Sequence, residues 1–208
     1  MDGVPTWPAT CCGWLLRHGE SDGNAVGRVQ GQTGGTGLSP RGREQVAAAA
    51  AALGRAALRP AAIVSSDLQR CRQTAAVFAE MLGVPVRLDP GLRERSFGVL
   101  EGRSWDDVPG AAVGVVGGGV VDPDVRPPGG ESVADLAGRV ADALGRAVGV
   151  GGPVLVVTSG GPVRVATAPG PPAGMPWGPV RHATPLAVCL RRFADRCAQS
   201  HRPPAVVR

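Results

Sequence analysis

The sequence predicts an α/β fold, a three-layer α/β/α sandwich around a mostly parallel central sheet. Three observations carry that prediction. One is a set of short, near-continuous apolar runs such as Val154-Leu155-Val156-Val157; another is the helix-period stretches of about 15 residues that alternate with them. Length is the third: 208 residues suit one α/β domain with a substantial core and leave too little for two.

The first strand is expected at about 13–17, and a glycine-rich loop follows at 31–37. Leu38-Ser39-Pro40 then opens a helix, because Ser39 suits the N-cap and Pro40 carries the φ of a first helical position. The Ala-rich run 41–57 continues it. Residues 61–65 read as a second buried strand and 67–82 as a helix that Gly83 ends in a left-handed cap. A third strand is expected at 84–88. Ser132 with Asp135 three residues on marks a capping box and a helix over about 133–148. The central strand is expected at 154–158 and the last at 186–190. Two stretches fit neither period: 111–121, rich in Gly and Val, and 168–179, with five prolines and three glycines. Both are expected to be irregular loops flanking a substrate site. The whole chain 1–208 reads as one domain, with a short N-terminal extension (1–12) and a polar, Pro-rich tail (about 195–208).

Composition narrows the function. All 22 basic residues are arginine, the net charge is +5, and Asn24 and Ile63 are the single residues of their types. The arginines are scattered and aromatics make up 3%, which argues against a nucleic-acid surface and for a basic pocket that takes a small anion. Cys11, Cys12, Cys71, Cys189 and Cys197 form no C-x-x-C pair and are odd in number, so reduced thiols and a cytoplasmic location are expected. No signal-peptide pattern or membrane-length apolar run occurs in the sequence. Neither a metal-ligand cluster nor a cofactor motif is legible, and no feature of the sequence encodes an oligomeric state.

Four motifs carry chemistry. Leu15-Leu16-Arg17-His18-Gly19-Glu20-Ser21 ends a strand in an imidazole beside a guanidinium, a nucleophile next to a bidentate anion binder. Ser65-Ser66-Asp67-Leu68-Gln69-Arg70 places Arg70 in the first turn of a helix that follows a strand. Leu92-Arg93-Glu94-Arg95 offers a carboxyl group between arginines, with Phe97-Gly98 and Glu101-Gly102 downstream. Val157-Thr158-Ser159-Gly160-Gly161-Pro162-Val163-Arg164 is a strand-end turn.

Together these pieces resemble the histidine phosphatase superfamily in its phosphoglycerate-mutase-like branch. The matching motifs are R-H-G-E-S with a downstream Asn, L-S-P-R-G, S-S-D-L-x-R-x-x-x-T-A, L-R-E-R-x-F-G-x-x-E-G, G-G-E-S and a strand before G-G-P-V-R, in family order over residues 14–164. The resemblance implies a phosphate monoester hydrolase acting on a small phosphorylated metabolite, with no metal or cofactor. His18 would be the phosphate-accepting nucleophile; Arg17, Arg70 and Asn24 would hold phosphoryl oxygens. Glu94 would act as acid to the leaving oxygen, then as base toward water. Ser21, Glu101 and Gly160 are further pocket candidates, Glu101 being equally suited to a solvated turn.

The likeness breaks at Ser159, where the family pattern has a second histidine. Serine offers one neutral donor there, so Ser159 is assigned to phosphate binding with attenuated or altered chemistry. Helix breakers in 165–179 also depart from the helix expected after that strand. A catalytically silent relative that binds a phosphorylated ligand or a protein partner is therefore the alternative. Mutase activity ranks third, because no longer insert is present. Arg72, Arg93, Arg126 and Arg164 read as surface or salt-bridged charges, and Cys71 as a packed, inert thiol. His182 reads as a surface or core residue unless the altered loop turns it toward the pocket, and His201 as exposed.

Overall fold

The computed structural model describes residues 13–55, 59–116, 120–168 and 179–190. The extension 1–12, the tail 195–208, Cys11, Cys12, Cys197 and His201 lie outside these residues, as does most of the 168–179 stretch.

Strand β1 (Gly13–Arg17) leads through a one-turn helix α1 (Asp22–Ala25) to α2 (Pro40–Arg55) and β2 (Ala62–Ser65). Helix α3 (Gln69–Leu82) connects β2 to β3 (Val86–Leu88). A series of short 3₁₀ turns leads to the two-residue strands β4 (Val115–Val116) and β5 (Val120–Val121), then to α4 (Val133–Val148). Strand β6 (Val154–Thr158), α5 (Gly160–Thr167) and β7 (Leu186–Val188) complete the order. The main sheet runs β3-β2-β6-β1-β7; its first four strands are parallel and β7 is antiparallel to β1. The expected α/β architecture with a mostly parallel sheet is thus present.

Alternation along the central strands makes the three layers. Leu15, Val64, Val154 and Val156 pack on one face with Leu136, Val140, Leu144 and Val163 of α4 and α5. Trp14, Leu16, Ile63, Leu155 and Val157 pack on the other with Val46, Ala50, Leu53, Ala75 and Phe78 of α2 and α3. Period-two side chains buried on both faces need a helical layer on each side.

Several expected boundaries shift for local reasons. Helix α3 begins at Gln69 rather than at 67, because the Ser66 hydroxyl accepts the Leu68 N–H and the Asp67 carboxylate is bonded to Arg93. Its end is as expected, with Gly83 at φ 65°. Helix α2 starts at Pro40 with Ser39 accepting the Gly42 N–H, and is described to Arg55. Strands β3 and β7 are shorter than 84–88 and 186–190. The 111–121 stretch is not a plain loop: a 3₁₀ turn over Gly110–Val113 leads into the β4–β5 hairpin, whose strands are too short to register as a period. Helix α5 also corrects an expectation. It runs through Val165 to Thr167, and its Pro162 sits in the first turn where a backbone N–H has no intrahelical acceptor. It stops at Ala168, the residue before Pro169, which proline disfavours for helix. Ser132 and Asp135 form the expected reciprocal capping box.

The C-terminal ends of β1, β2 and β6 open toward one crevice, the usual ligand position in an open α/β sheet. No helix among the described residues is long and apolar enough to cross a membrane.

Candidate active site

Strand β1 delivers Arg17 and His18 to the crevice. The ladder with β6 extends one residue past the strand, through a bond from His18 N to the Thr158 carbonyl at 2.9 Å. The chain then turns under the start of α2, where backbone meets backbone: a Cβ on Gly42 would collide with the Glu20 carbonyl. That close approach is the physical content of the L-S-P-R-G motif. Thr74 serves the same turn. Its hydroxyl accepts from Gly19 N at 3.2 Å and donates to the Arg70 carbonyl at 2.8 Å.

His18 is 2% exposed, and its two ring nitrogens have different partners. Nδ1 lies 2.6 Å from the Gly19 carbonyl, an acceptor only, so Nδ1 carries the proton. Nε2 accepts from Arg70 Nε at 3.2 Å, which leaves its lone pair directed at the guanidinium side of the cleft. Burial above all, then the Arg70 and Arg17 charges, holds the imidazole well below its ordinary pKa of 6.5. The ring is neutral, with Nε2 unprotonated and accepting from Arg70.

The cations around it are fixed from different parts of the chain. Arg70 is 1% exposed and its Nη2 donates to the Gly31 carbonyl at 2.8 Å. Arg17 Nη1 donates to the Val180 carbonyl at 2.7 Å, whereas its buried Nε has no hydrogen-bond partner. Burial pushes Arg17 down to about 10, which keeps it charged at neutral pH. Glu94 faces the same cleft. Its Oε1 accepts from Arg95 N at 2.8 Å, and the Gly161 N–H sits between both carboxyl oxygens at 3.1 and 3.0 Å. A Cβ on Gly161 would strike Glu94 Oε1, so the second glycine of the Gly160-Gly161 pair makes room for the carboxylate.

Arg17, His18, Arg70, Glu94 and Gly160 line one cleft of about 170 Å³, small beside drug-sized cavities of about 300–1,000 Å³. Asn24, Arg28, Gln30, Gly31, Phe97, Trp105 and Arg164 complete its wall. The family model for the histidine phosphatase superfamily (branch 1) matches residues 14–197. The chain belongs to that superfamily. Among similar histidine phosphatases is a glucosyl-3-phosphoglycerate phosphatase of Mycolicibacterium vanbaalenii, 43% identical over 125 residues, 60% of this chain and 54% of the relative. A probable phosphoglycerate mutase (GpmB) of an Enterobacter species is 40% identical over 138 residues, 63% of this chain and 60% of the relative. The aligned stretch thus spans little more than half the length of these curated relatives. The solved structure of a mycobacterial glucosyl-3-phosphoglycerate phosphatase superposes with a TM-score of 0.62 at 36% identity, covering 74% of this chain and 76% of that one. A phosphoglycerate mutase from Thermus thermophilus superposes with a TM-score of 0.62 at 33% identity, covering 84% and 91%.

Some residues singled out from the histidine phosphatase pattern stand behind the cleft rather than in its wall. Ser21 is fully buried as the N-cap of α1, with its Oγ 2.8 Å from both Asn24 Oδ1 and Gln30 Oε1. Glu101 accepts from Gln32 N and Phe97 N, each at 3.0 Å, and from the Thr33 hydroxyl, pinning the glycine-rich loop. Ser159 is fully buried at the N-cap of α5, its Oγ 3.9 Å from Cys71 Sγ. Cys71 is itself buried, and burial raises its thiol to about 11. Arg126 is paired with Asp135 and Arg93 with Asp67, and Arg72 is exposed, all as expected.

Arg164 corrects the sequence reading. It lines the cleft, where burial lowers its pKa and Glu94 opposes that shift. His182 is drawn to the nucleophile, its Nδ1 2.9 Å from the His18 carbonyl. Three further residues have structural roles that the motifs alone do not assign. Arg95 is fully buried and donates to the carbonyls of Glu131, Val113 and Val125. Arg139 donates to the carbonyls of Gly91, Arg93 and Glu94 and pairs with Glu131, which holds the Glu94 loop against α4. Thr74 stands in the S-S-D-L-x-R-x-x-x-T-A motif, four residues after Arg70 on one helix face.

Proposed function

We propose that this chain is a phosphomonoesterase that works through a phosphohistidine on His18. The observation that carries the reading is the unprotonated Nε2 of a buried, neutral His18, which accepts from Arg70, lies beside Arg17 and faces the same cleft as Glu94. In the first step the Nε2 lone pair forms the N–P bond while the ester P–O bond breaks, and Glu94 gives its proton to the leaving oxygen. In the second, Glu94 takes a proton from water as its oxygen attacks phosphorus, and the N–P pair returns to Nε2. Arg17 and Arg70 bear the charge on the phosphoryl oxygens throughout, the main demand of phosphoryl transfer. Asn24 adds a neutral contact at the phosphate.

The leaving group we infer is small, hydroxylated and itself anionic. Four arginines line the cleft against one carboxylate, more positive charge than a phosphate dianion balances. Arg28 and Trp105 border it together, because Arg28 and Ser104 form an antiparallel bridge beside the bond from Trp105 N to the Gly27 carbonyl. An arginine and an aromatic side chain at the rim, with the Asn24 and Gln30 amides in the wall, suit a carboxylated sugar derivative. Glucosyl-3-phosphoglycerate, named for the mycobacterial relatives, is the first substrate to try.

Ser159 supports an attenuated rate. Its hydroxyl is directed to Cys71 in the interior and adds no charge to the cleft; a missing preorganised donor costs about 10²–10³ in rate. The same burial favours the second reading, a silent binder of phosphorylated ligands. Turnover of an aryl phosphate decides. On the enzyme reading the wild type turns over, His18→Ala abolishes turnover, Ser159→His raises it, and acid quench traps phosphate on His18. Saturable phosphate binding with no turnover establishes the binder.

A further inference from the structure

The short segment ahead of β7 grips the Arg17–His18 pair by three hydrogen bonds. Arg17 Nη1 donates to the Val180 carbonyl at 2.7 Å, Ala183 N donates to the Arg17 carbonyl at 2.9 Å, and His182 Nδ1 meets the His18 carbonyl at 2.9 Å. A carbonyl only accepts, so the His182 ring is the donor.

These bonds fall where the sheet stops supplying partners. On one side β1 is laddered to β6 as far as His18 N, but on the other the β7 ladder ends at Leu15 paired with Leu186. The carbonyls of Arg17 and His18 lie beyond that end. Ala183, at φ 47°, is the non-glycine residue with positive φ among the described residues. A left-handed alanine persists where surrounding contacts over-determine it, and such residues cluster at functional sites. The His182 ring also lies beside the nucleophile, its centroid 5.6 Å from that of His18 with planes at 56°. His182 itself is not among the residues that line the cleft.

We propose that His182 is a positioning residue for His18: its Nδ1–H holds the main-chain carbonyl of the nucleophile and thereby aims Nε2. This rests on the phosphotransfer reading above. A tether on the backbone of an attacking group acts on the chemical step, since small misplacements of a reacting atom are costly, while anion capture stays with Arg17 and Arg70.

Three variants test it: His182→Ala, His182→Asn, whose amide N–H reaches about as far as Nδ1, and His182→Gln, whose amide reaches further. With an aryl phosphate, His182→Ala is expected to lower kcat about ten-fold or more while KM and inorganic phosphate affinity move less than about three-fold. His182→Asn should recover most of kcat and His182→Gln should not. A kcat for His182→Ala within about two-fold of wild type overturns the assignment, as do Asn and Gln variants that are equally impaired. If the Ala variant does not fold, the Asn–Gln comparison decides alone. Should the wild type itself show no turnover, the phosphotransfer reading fails and His18 imidazole ¹⁵N resonances take over. Positioning then predicts His18 signals that shift or broaden in His182→Ala and return in His182→Asn; unchanged His18 signals overturn it.

Discussion

At the scale of single residues, the decisive fact is that burial, then the Arg70 and Arg17 charges, hold His18 neutral, against the Gly19 carbonyl, whose bond from Nδ1–H favours the protonated ring. Its depressed pKa has two consequences of definite sign. For activity, Nε2 remains unprotonated below pH 6.5. His18 phosphorylation by an aryl phosphate, corrected for ester ionisation, should stay nearly constant from about pH 7.5 to 5.5, whereas an ordinary imidazole would lose about ten-fold. For stability, both folded and unfolded chains are neutral at His18 above the unfolded pKa. As pH falls through about 6.5 the unfolded chain takes a proton that the folded chain refuses, and stability declines by up to about 1.4 kcal/mol per pH unit. Urea titrations at pH 7 and pH 5 measure this, and the decline should shrink in His18→Gln. His182 acts in the same direction, its pKa lowered by burial and then by Arg17. The depressed carboxylates Asp67, Asp89 and Asp135 act in a lower window, below about pH 4. Gly161 gives the sharpest single-residue test. Gly161→Ala thrusts a methyl against Glu94 Oε1 and should lower kcat about 10²-fold with phosphate affinity preserved. A Gly161→Ala enzyme of normal kcat would separate Glu94 from the chemistry. The Arg17–His18–Arg70 grouping was legible through the resemblance of its motifs to the histidine phosphatases. Arg164 and His182 were not, because nothing local distinguishes them from a solvated arginine and a stray histidine.

Among the elements, the strands and long helices were legible wherever side-chain periodicity spoke, as in α4 and β6. The loops between β3 and α4 were not, because their order comes from side chain-to-carbonyl bonds across 18 to 48 residues of sequence. Arg95 is the clearest case. In the sequence it is one of two arginines flanking Glu94; in the fold it is a buried strut whose guanidinium donates to three carbonyls and lies 5.4 Å over the Phe97 ring. Arg95→Met fills the volume but strands those carbonyls, so a loss of about 3–5 kcal/mol is expected from the urea midpoint. A loss under about 1 kcal/mol would mean that water or neighbouring N–H groups satisfy the three carbonyls as well as the guanidinium does. Arg139 does the corresponding work from α4, and through the Glu94 carbonyl it couples helix packing to the acid's position.

For the whole molecule, the cleft is where every layer converges: the sheet through Arg17 of β1, α3 through Arg70, α5 through Gly160 and Arg164, and the connecting loops through Arg28, Glu94 and Trp105. Alternating strands and helices announced the sheet and its open end, but not this mouth, because Arg28 and Trp105 are brought together by backbone bonds between loops distant in sequence. Such convergence makes the folded state itself a sensor of the anion. Arg17, Arg70 and Arg164 are crowded enough that each of the first and third has its pKa lowered by burial, and Arg17 is lowered further by the other two. An oxyanion that binds among them relieves that repulsion in the folded chain and finds no equivalent cluster in the unfolded one. Phosphate or vanadate at about one hundred times its Kd should therefore stabilise the protein by about 2.7 kcal/mol, a rise in Tm of about 5–10 °C for a chain of this size. His18→Ala keeps the arginines and should keep most of the phosphate shift. Arg70→Met removes a buried cation and should lose it, with sulfate and phosphate both losing effect. Equal shifts in wild type and Arg70→Met would move the anion to some other part of the surface and leave this cleft without its ligand.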